Sequence, residues 1–338
     1  MTSKAEPLEP GTSRRSYIDW ARGIAVLIMI EAHVLDSWTL RSERGTTAFA
    51  CLNILGGMAA PLFLWLAGLS LVLGAEGALH RTGRRGAAAA RVIRRGGEIF
   101  LLAFLFRLQA FIVSPGNPLV SLLRVDILNV MGPSMMAAGA LWYAARGTRM
   151  AAVLTGAFGA AVAFATPIVR GASWLGALPP FLQWYLSPAG NHSTFTLFPW
   201  SGFVLAGAAC GALLSLSGMG RQGRALGWLA VAGGALMAAG LAGSTRPSIY
   251  ASSESWTTSP TYFGFRTGLL MVVLALLFAA GRLASVAPRI FSVLNRFGRH
   301  SLFVYWIHVE LVYGYATILV HRRLPLWGTD RKSTRLNS

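Results

Sequence analysis

The chain has 338 residues, 54% apolar and only 12% charged, with a mean hydropathy of +0.54 and a formal charge of +18. Soluble domains carry about 25% charged residues, so this composition excludes a cytosolic enzyme and a disordered chain and defines a polytopic helical membrane protein. The positive charge does not signify nucleic acid. The arginines fall in short gaps between apolar runs, and no zinc-finger, homeodomain or RNA-binding signature accompanies them.

In chain order, residues 1–16 form a polar, proline-bearing tail too hydrophilic for a signal peptide. A membrane helix needs about 20 mostly apolar residues. Nine segments qualify: 17–39, 49–75, 98–114, 119–145, 150–168, 197–217, 226–243, 262–281 and 301–320. A tenth is conceivable at 172–188, but Pro179-Pro180 favours a re-entrant or surface piece there. The expected fold is therefore an all-α polytopic transmembrane bundle of about nine to ten spans, with one membrane domain over 17–321 and a tail over 322–338. The last residues, RKSTRLNS (331–338), resemble a translated sequencing adapter, and a truncated C-terminus is expected. Placing the N-terminus in the cytoplasm leaves seventeen Lys and Arg residues on inner segments against six on outer ones, the asymmetry that cytoplasmic loops carry. Cys51 and Cys210 lie in separate apolar runs without CxxC spacing and are expected to be packing residues. Gly207 and Gly211 form a GxxxG suited to close helix packing.

Ionisable residues inside membrane helices are costly and face the bundle interior by default. The first helix is the richest. Asp19, Arg22, Val26, Met29, His33 and Asp36 recur at steps of three and four, which places them on one helix face. From Arg22 to His33 the helix rises about 16 Å and returns to within about 20° of the same direction. One stripe thus joins a cation near the cytoplasmic entrance to an imidazole in the outer third, and both are expected to line one conduit. Asp36, three residues beyond His33, is within reach to hold the imidazole tautomer in a general-base arrangement.

Arg107 in the third segment and Asp126 and Asn129 in the fourth fall at the depth of His33, about 9–11 Å below the outer boundary. Arg266 in the eighth lies close to that level. Together they suggest a polar chamber opening outward, with a packing salt-bridge network as the plainer reading. Gly132-Pro133 could bend the fourth helix beside it. In the ninth segment Arg299-His300-Ser301 begins the span, and Ser301 is a candidate cap on a helix N-terminus suited to phosphate. His308, nearer mid-membrane, reads as a structural hydrogen-bond partner. The stretch HRTGRRGAAAARVIRR (80–95) could grip the phosphates of a nucleotide cofactor or serve as a topology determinant facing anionic lipid. His33, His192 and His308 lack any HExxH-like spacing, so no metal is expected. No Walker A loop, dinucleotide fingerprint or GxSxG elbow is present.

Residues 14–38, RRSYIDWARGIAVLIMIEAHVLDSW, resemble the opening helix of the heparan-α-glucosaminide N-acetyltransferase catalytic domain family. They share its Ile-Asp-x-x-Arg-Gly start and its distal His-x-x-Asp. The spacing of Arg22 and His33 is also similar to that of type-3 membrane acyltransferases of the same broad superfamily. Further likenesses are PLFLWLAGLSL (61–71), RVDILNVMG (124–132), FPWSGFVLAGAACG (198–211) and GRHSLFVYWIH (298–308). The resemblance implies acyl transfer from cytoplasmic acyl-CoA, acetyl-CoA above all, to a carbohydrate across the membrane. It places the catalytic imidazole on His33 and a contact to CoA on Arg22. His33 then acts either as general base on the acceptor amine or hydroxyl or as a transient acyl carrier.

Nine spans fall short of the family's usual ten or eleven, and the lumenal extension of its mammalian members is absent. The expected acceptor is a bacterial envelope sugar or glycolipid, and the expected location the bacterial cytoplasmic (inner) membrane. The resulting assignment makes His33 and Asp36 catalytic, Arg22, Arg299 and Ser301 cofactor-binding, and Arg107, Asp126, Asn129 and Arg266 acceptor-binding. The competing function is a transporter or flippase for a lipid-linked or sugar substrate, for which inverted repeats would speak; none is visible in the sequence. A homo-oligomer is left open.

Overall fold

A computed structural model describes residues 15–113, 118–251, 253–254, 257–314, 317 and 319–326. The expectations for residues 1–14 and for RKSTRLNS lie outside that set. The described residues form helices without a β-strand; two isolated bridges, Thr39 with Leu324 and Val125 with Ser193, tie loops together.

The helices are α1 (Ser16–Trp38), α2 (Thr47–Gly56), α3 (Ala59–Thr82), α4 (Arg85–Val113), α5 (Ile127–Ala144), α6 (Thr148–Arg170), α7 (Pro180–Leu186), α8 (Leu197–Leu216), α9 (Gln222–Ser244), α10 (Pro260–Ala280), α11 (Pro288–Arg299) and α12 (Ser301–Tyr313). Six are long and apolar enough to cross a membrane: α2 with α3, α4, α6, α8, α9 and α10. The charges of Asp19, Arg22, Glu31 and Asp36 set α1 apart from these. α12 is apolar but has only 13 residues.

Several boundaries differ from the sequence expectation. The segment at 49–75 is two helices, broken at Gly57-Met58, and α3 continues to Thr82. The basic stretch 80–95 is not a loop. Gly83, at φ +64°, closes α3 in the left-handed conformation that glycine adopts freely, and α4 starts two residues later. α4 therefore extends about 43 Å, beyond a hydrocarbon core of about 30 Å, and carries its arginines out of the apolar layer. Residues 119–123 form a 3-10 turn before α5, and α12 stops at Tyr313 rather than 320. Pro133 lies inside α5, which stays one helix across it. The 172–188 segment holds a 3-10 turn and the seven-residue α7, too short to span. Cys210 is buried as expected, whereas Cys51 is exposed on α2.

α3 and α8 pack closely. A Cβ on Gly68 would collide with the Val204 carbonyl of α8, and one on Gly207 with the Trp65 carbonyl of α3. Without side chains at these crossings the two backbones approach directly, the role that small residues take in lipid, where apolar burial drives little association. Trp65, Leu69, Phe203 and Val204 fill the core around this contact.

α11 falls in one of the arginine-bearing inner segments, where the sequence predicts no helix. Its apolar residues Ile290, Phe291, Val293, Leu294 and Phe297 follow helical spacing, the mark of an amphipathic helix. It crosses the first half of α1, with Phe291 4.5 Å from Trp20 between ring centroids. Gly298 meets the Asp19 backbone so closely that a Cβ would not fit.

Candidate active site

A cavity of about 1020 Å³ lies between α1, α3, α4, α5 and the start of α12. That is at the upper end of the ~300–1,000 Å³ typical of small-molecule sites. Along α4 it reaches from Ala88 to Gln109, a rise of about 30 Å. It is thus about as long as a bilayer core is thick.

One end is basic. Arg81, Arg91, Arg95 and Arg299 line it, together with His300 and Ser301 at the start of α12. His300, not Ser301, is the N-cap, and no side chain caps this helix. The first-turn N–H groups of α12 therefore add to the anion-attracting character of the arginines. Arg22 lines the same cavity. Its guanidinium donates to Asp19 Oδ1 at 3.0 Å and to Ser70 Oγ at 2.5 Å. Asp19 is almost fully buried, so this local pair supplies the counter-charge that burial demands.

The other end is aromatic. Phe106 lies parallel to Tyr305 and Trp306, with ring centroids 6.0 and 5.7 Å away. Trp306 Nε1 donates to Gln109 Oε1, and Gln109 Nε2 donates to Glu310 Oε1 at 3.1 Å. Phe106, Leu128, Tyr305 and Trp306 also line a second chamber of about 60 Å³, which contains Arg107, Asp126 and Glu310. They form a wall shared by the two spaces. Arg107 and Asp126 are ion-paired there and half-buried. Asp126 is the N-cap of α5 in a capping box with Asn129, whose Oδ1 accepts the Asp126 N–H at 2.9 Å.

His33 stands one turn beyond Met29, which lines the large cavity; His33 does not. The expected common conduit is therefore corrected: Arg22 borders the cavity, and His33 lies just past its distal end. The imidazole is turned instead towards α12. His33 Nδ1 and His308 Nε2 are 2.8 Å apart, and His308 Nδ1 lies 3.1 Å from the Val304 carbonyl. Tyr313 presents its edge to His33 with centroids 5.6 Å apart. His308 in turn lies 5.6 Å from the Tyr305 ring of the shared wall.

Asp36 takes another place from the one expected. Its carboxylate is exposed, pairs with Arg44 at 3.6 Å, and accepts from the Tyr313 hydroxyl at 3.2 Å. Two forces explain the difference: Arg44 in the loop after α1 draws the carboxylate to the rim, and His308 supplies the imidazole's hydrogen bond. Asp36→Asn is accordingly expected to lower stability by no more than about 1 kcal/mol, the upper worth of an exposed ion pair such as that with Arg44. A clearly larger loss in thermal unfolding would contradict this placement.

Arg266 also stands apart from the chamber. It is buried, lies over the Tyr262 ring with its guanidinium carbon 4.2 Å from the centroid, and lines neither cavity. Asn129 is fully buried as a capping residue and lines neither. The structure brings together Arg22, Arg299 and Ser301 around one space and Arg107 and Asp126 around the next. Sequence reasoning missed the wall of Phe106, Tyr305 and Trp306, with Gln109 and Glu310 behind it. The available signal was their i, i+1 and i+3 spacing on α4 and α12. Among the described residues no three His, Cys, Asp or Glu side chains gather to hold a metal.

Six helices have the length and composition to cross a bilayer, which makes this an integral membrane protein; α1, α3, α4, α5 and α12 border an arginine-fringed cavity, with the His33–His308 pair beyond its end. A family model for the heparan-alpha-glucosaminide N-acetyltransferase catalytic domain matches residues 14–241. The chain belongs to that family, and membership implies a membrane acetyltransferase-like function. No curated protein matches the chain. The family match covers α1 to most of α9; α10, α11 and α12, with His308, lie beyond it.

Proposed function

We propose that the protein transfers an acetyl group from cytoplasmic acetyl-CoA to an amine or hydroxyl of an envelope sugar or glycolipid, with His33 as the catalytic group. The observation that carries this reading is the cavity as long as a bilayer core is thick, basic at one end and reaching to within one turn of His33 at the other. The seventeen-to-six distribution of basic residues supports an N-terminus in the cytoplasm, as expected for a protein of the bacterial inner membrane. In that orientation the arginines face the compartment that holds acyl-CoA.

The chemistry of the lining suits such a donor. Arg81, Arg91, Arg95 and Arg299 offer the charge-assisted bonds that phosphates take, and Leu66, Leu102 and Met131 offer an apolar path for the pantetheine arm. The thioester carbonyl then lies near Met29, next to His33. As general base His33 accepts a proton from the acceptor N–H or O–H. The freed lone pair attacks the acetyl carbon, the C–S bond breaks, and CoA leaves as the thiolate, which takes up that proton. Arg107 and Asp126, beyond the aromatic wall, are placed to meet a polar acceptor.

Arg299→Ala is expected to raise KM for acetyl-CoA about 3- to 10-fold with kcat little changed, because an exposed cation contributes mainly to binding. An unchanged KM would remove Arg299 from the donor site. The activity itself is tested with vesicles given labelled acetyl-CoA and envelope sugars. Label appearing on sugar or glycolipid is the expected result. Flux of the sugar-bearing lipid across the vesicle without any acyl transfer would overturn the reading in favour of a transporter.

A further inference from the structure

We infer that His308 is a positioning residue that fixes the tautomer of His33, so that Nε2 of His33 is the nitrogen that reacts. This rests on the reading of His33 as the catalytic group.

The Val304 carbonyl can only accept, and His308 Nδ1 is 3.1 Å from it, so Nδ1 of His308 carries a proton. His308 is 4% exposed, and among the described residues no carboxylate is bonded to it. An imidazolium so buried and unpaired is costly, so the ring is neutral and its Nε2 is an acceptor. The only proton available to join His308 Nε2 to His33 Nδ1 at 2.8 Å then belongs to His33 Nδ1. That leaves the lone pair of His33 on Nε2, which among the described residues has no hydrogen-bond partner.

The ring geometry agrees. The two imidazole planes are within 5° of each other with centroids 5.0 Å apart, much farther than the facing nitrogens. The rings therefore meet end to end, with the bond in both planes along the lone pair. This second imidazole does for His33 what a buried carboxylate does in a serine-hydrolase triad: it selects the tautomer and orients the ring. Unlike a carboxylate it brings no negative charge, a cheaper orienting group within an apolar bundle. The same arrangement serves whether Nε2 takes a proton or the acetyl group. The link also passes through α12, whose Tyr305 belongs to the wall between the two cavities, so the orientation of His33 is tied to the element that borders both.

The test pairs activity with nitrogen-15 NMR of protein labelled at histidine, using the full chain in detergent or nanodiscs. His308→Gln keeps an acceptor for His33 and a donor for Val304; His308→Leu removes both at similar volume. Wild type and His308→Gln are expected to show His33 protonated at Nδ1 and free at Nε2, with kcat within about 10-fold of each other. His308→Leu is expected to move the His33 proton towards Nε2 and to lower kcat about 10³-fold, as a wrong tautomer does, with KM for acetyl-CoA within about 3-fold. A wild-type His33 protonated at Nε2, or a His308→Leu protein with wild-type kcat, overturns the inference. Should His308→Leu not fold, the wild-type spectrum and His308→Gln still decide it. Absence of acetyl transfer by wild type would overturn the reading of His33 instead, leaving the tautomer visible in the spectrum.

Discussion

His33→Ala is expected to lower kcat for acetyl transfer by about 10²- to 10⁴-fold, the range that a positioned acid–base group contributes. The deletion removes the nitrogen that receives the acceptor proton and leaves the arginine-lined end of the cavity untouched. KM for acetyl-CoA should therefore stay within about 3-fold of wild type, because Arg22, Arg91 and Arg299 line the cavity independently of His33. The split between kcat and KM is the informative part: an interaction made only in the transition state lowers kcat without weakening donor binding. Membrane expression and thermal unfolding in detergent serve as the control for folding. Wild-type kcat in His33→Ala would refute the catalytic assignment.

Gly207→Ala is expected to destabilise the bundle by about 3 kcal/mol or more, at the upper end of overpacking effects, because the clashing partner is backbone that no rotamer change can move. A Cβ there collides with the Trp65 carbonyl, so α3 and α8 must separate along a crossing that Gly68 and Gly211 also keep narrow. At roughly 2–4 °C per kcal/mol, the melting temperature in detergent should fall by more than about 5 °C. Gly234→Ala in the middle of α9 is the matched comparison, since nothing lies within 4 Å of its added Cβ. There the gain in helix propensity, about 0.5–1 kcal/mol, should leave the melting temperature equal or higher. Equal stability of the two variants would show that the close α3–α8 approach carries no energy. The site would feel such a separation, because α3 supplies both Ser70 against Arg22 and much of the cavity wall.

Hydropathy located the apolar cores of the helices well, because a span must bury some 20 residues whatever its neighbours do. It located their ends poorly. α4 carries its helix through five charged residues from Arg85 to Glu98, where backbone hydrogen bonds persist after hydrophobicity has stopped. α11 was hidden because its amphipathic period lies in a segment too polar for a span and too short to stand out. Within the site, helical phase brought out the Asp19–Arg22 pair and put His33 on the same stripe, since residues three and four apart share a face whatever the tertiary structure. Depth counting likewise brought Arg107 and Asp126 together from separate helices.

Phase and depth could not choose between partners. Phase named Asp36 as the neighbour of His33, and only the packing of α12 along α1 brings His308 there instead. Arg266 matched the chamber in depth but faces Tyr262 on its own helix, because depth says nothing of the direction around the bundle axis. The aromatic wall needed three side chains from α4 and α12 to meet, a coincidence that neither segment reveals alone.

The central claim is that a donor bound at the arginine-fringed end of the cavity extends its thioester along α1 to His33. Density for the protein with a non-transferable thioether analogue of acetyl-CoA tests it most directly. The account predicts phosphates among Arg81, Arg91, Arg95 and Arg299 and the analogue's carbonyl carbon past Met29, so placed that an acceptor oxygen or nitrogen about 3 Å from His33 Nε2 lies about 3–3.5 Å from that carbon. Phosphates bound elsewhere, or a carbonyl held short of Met29 and out of reach of His33, would contradict it.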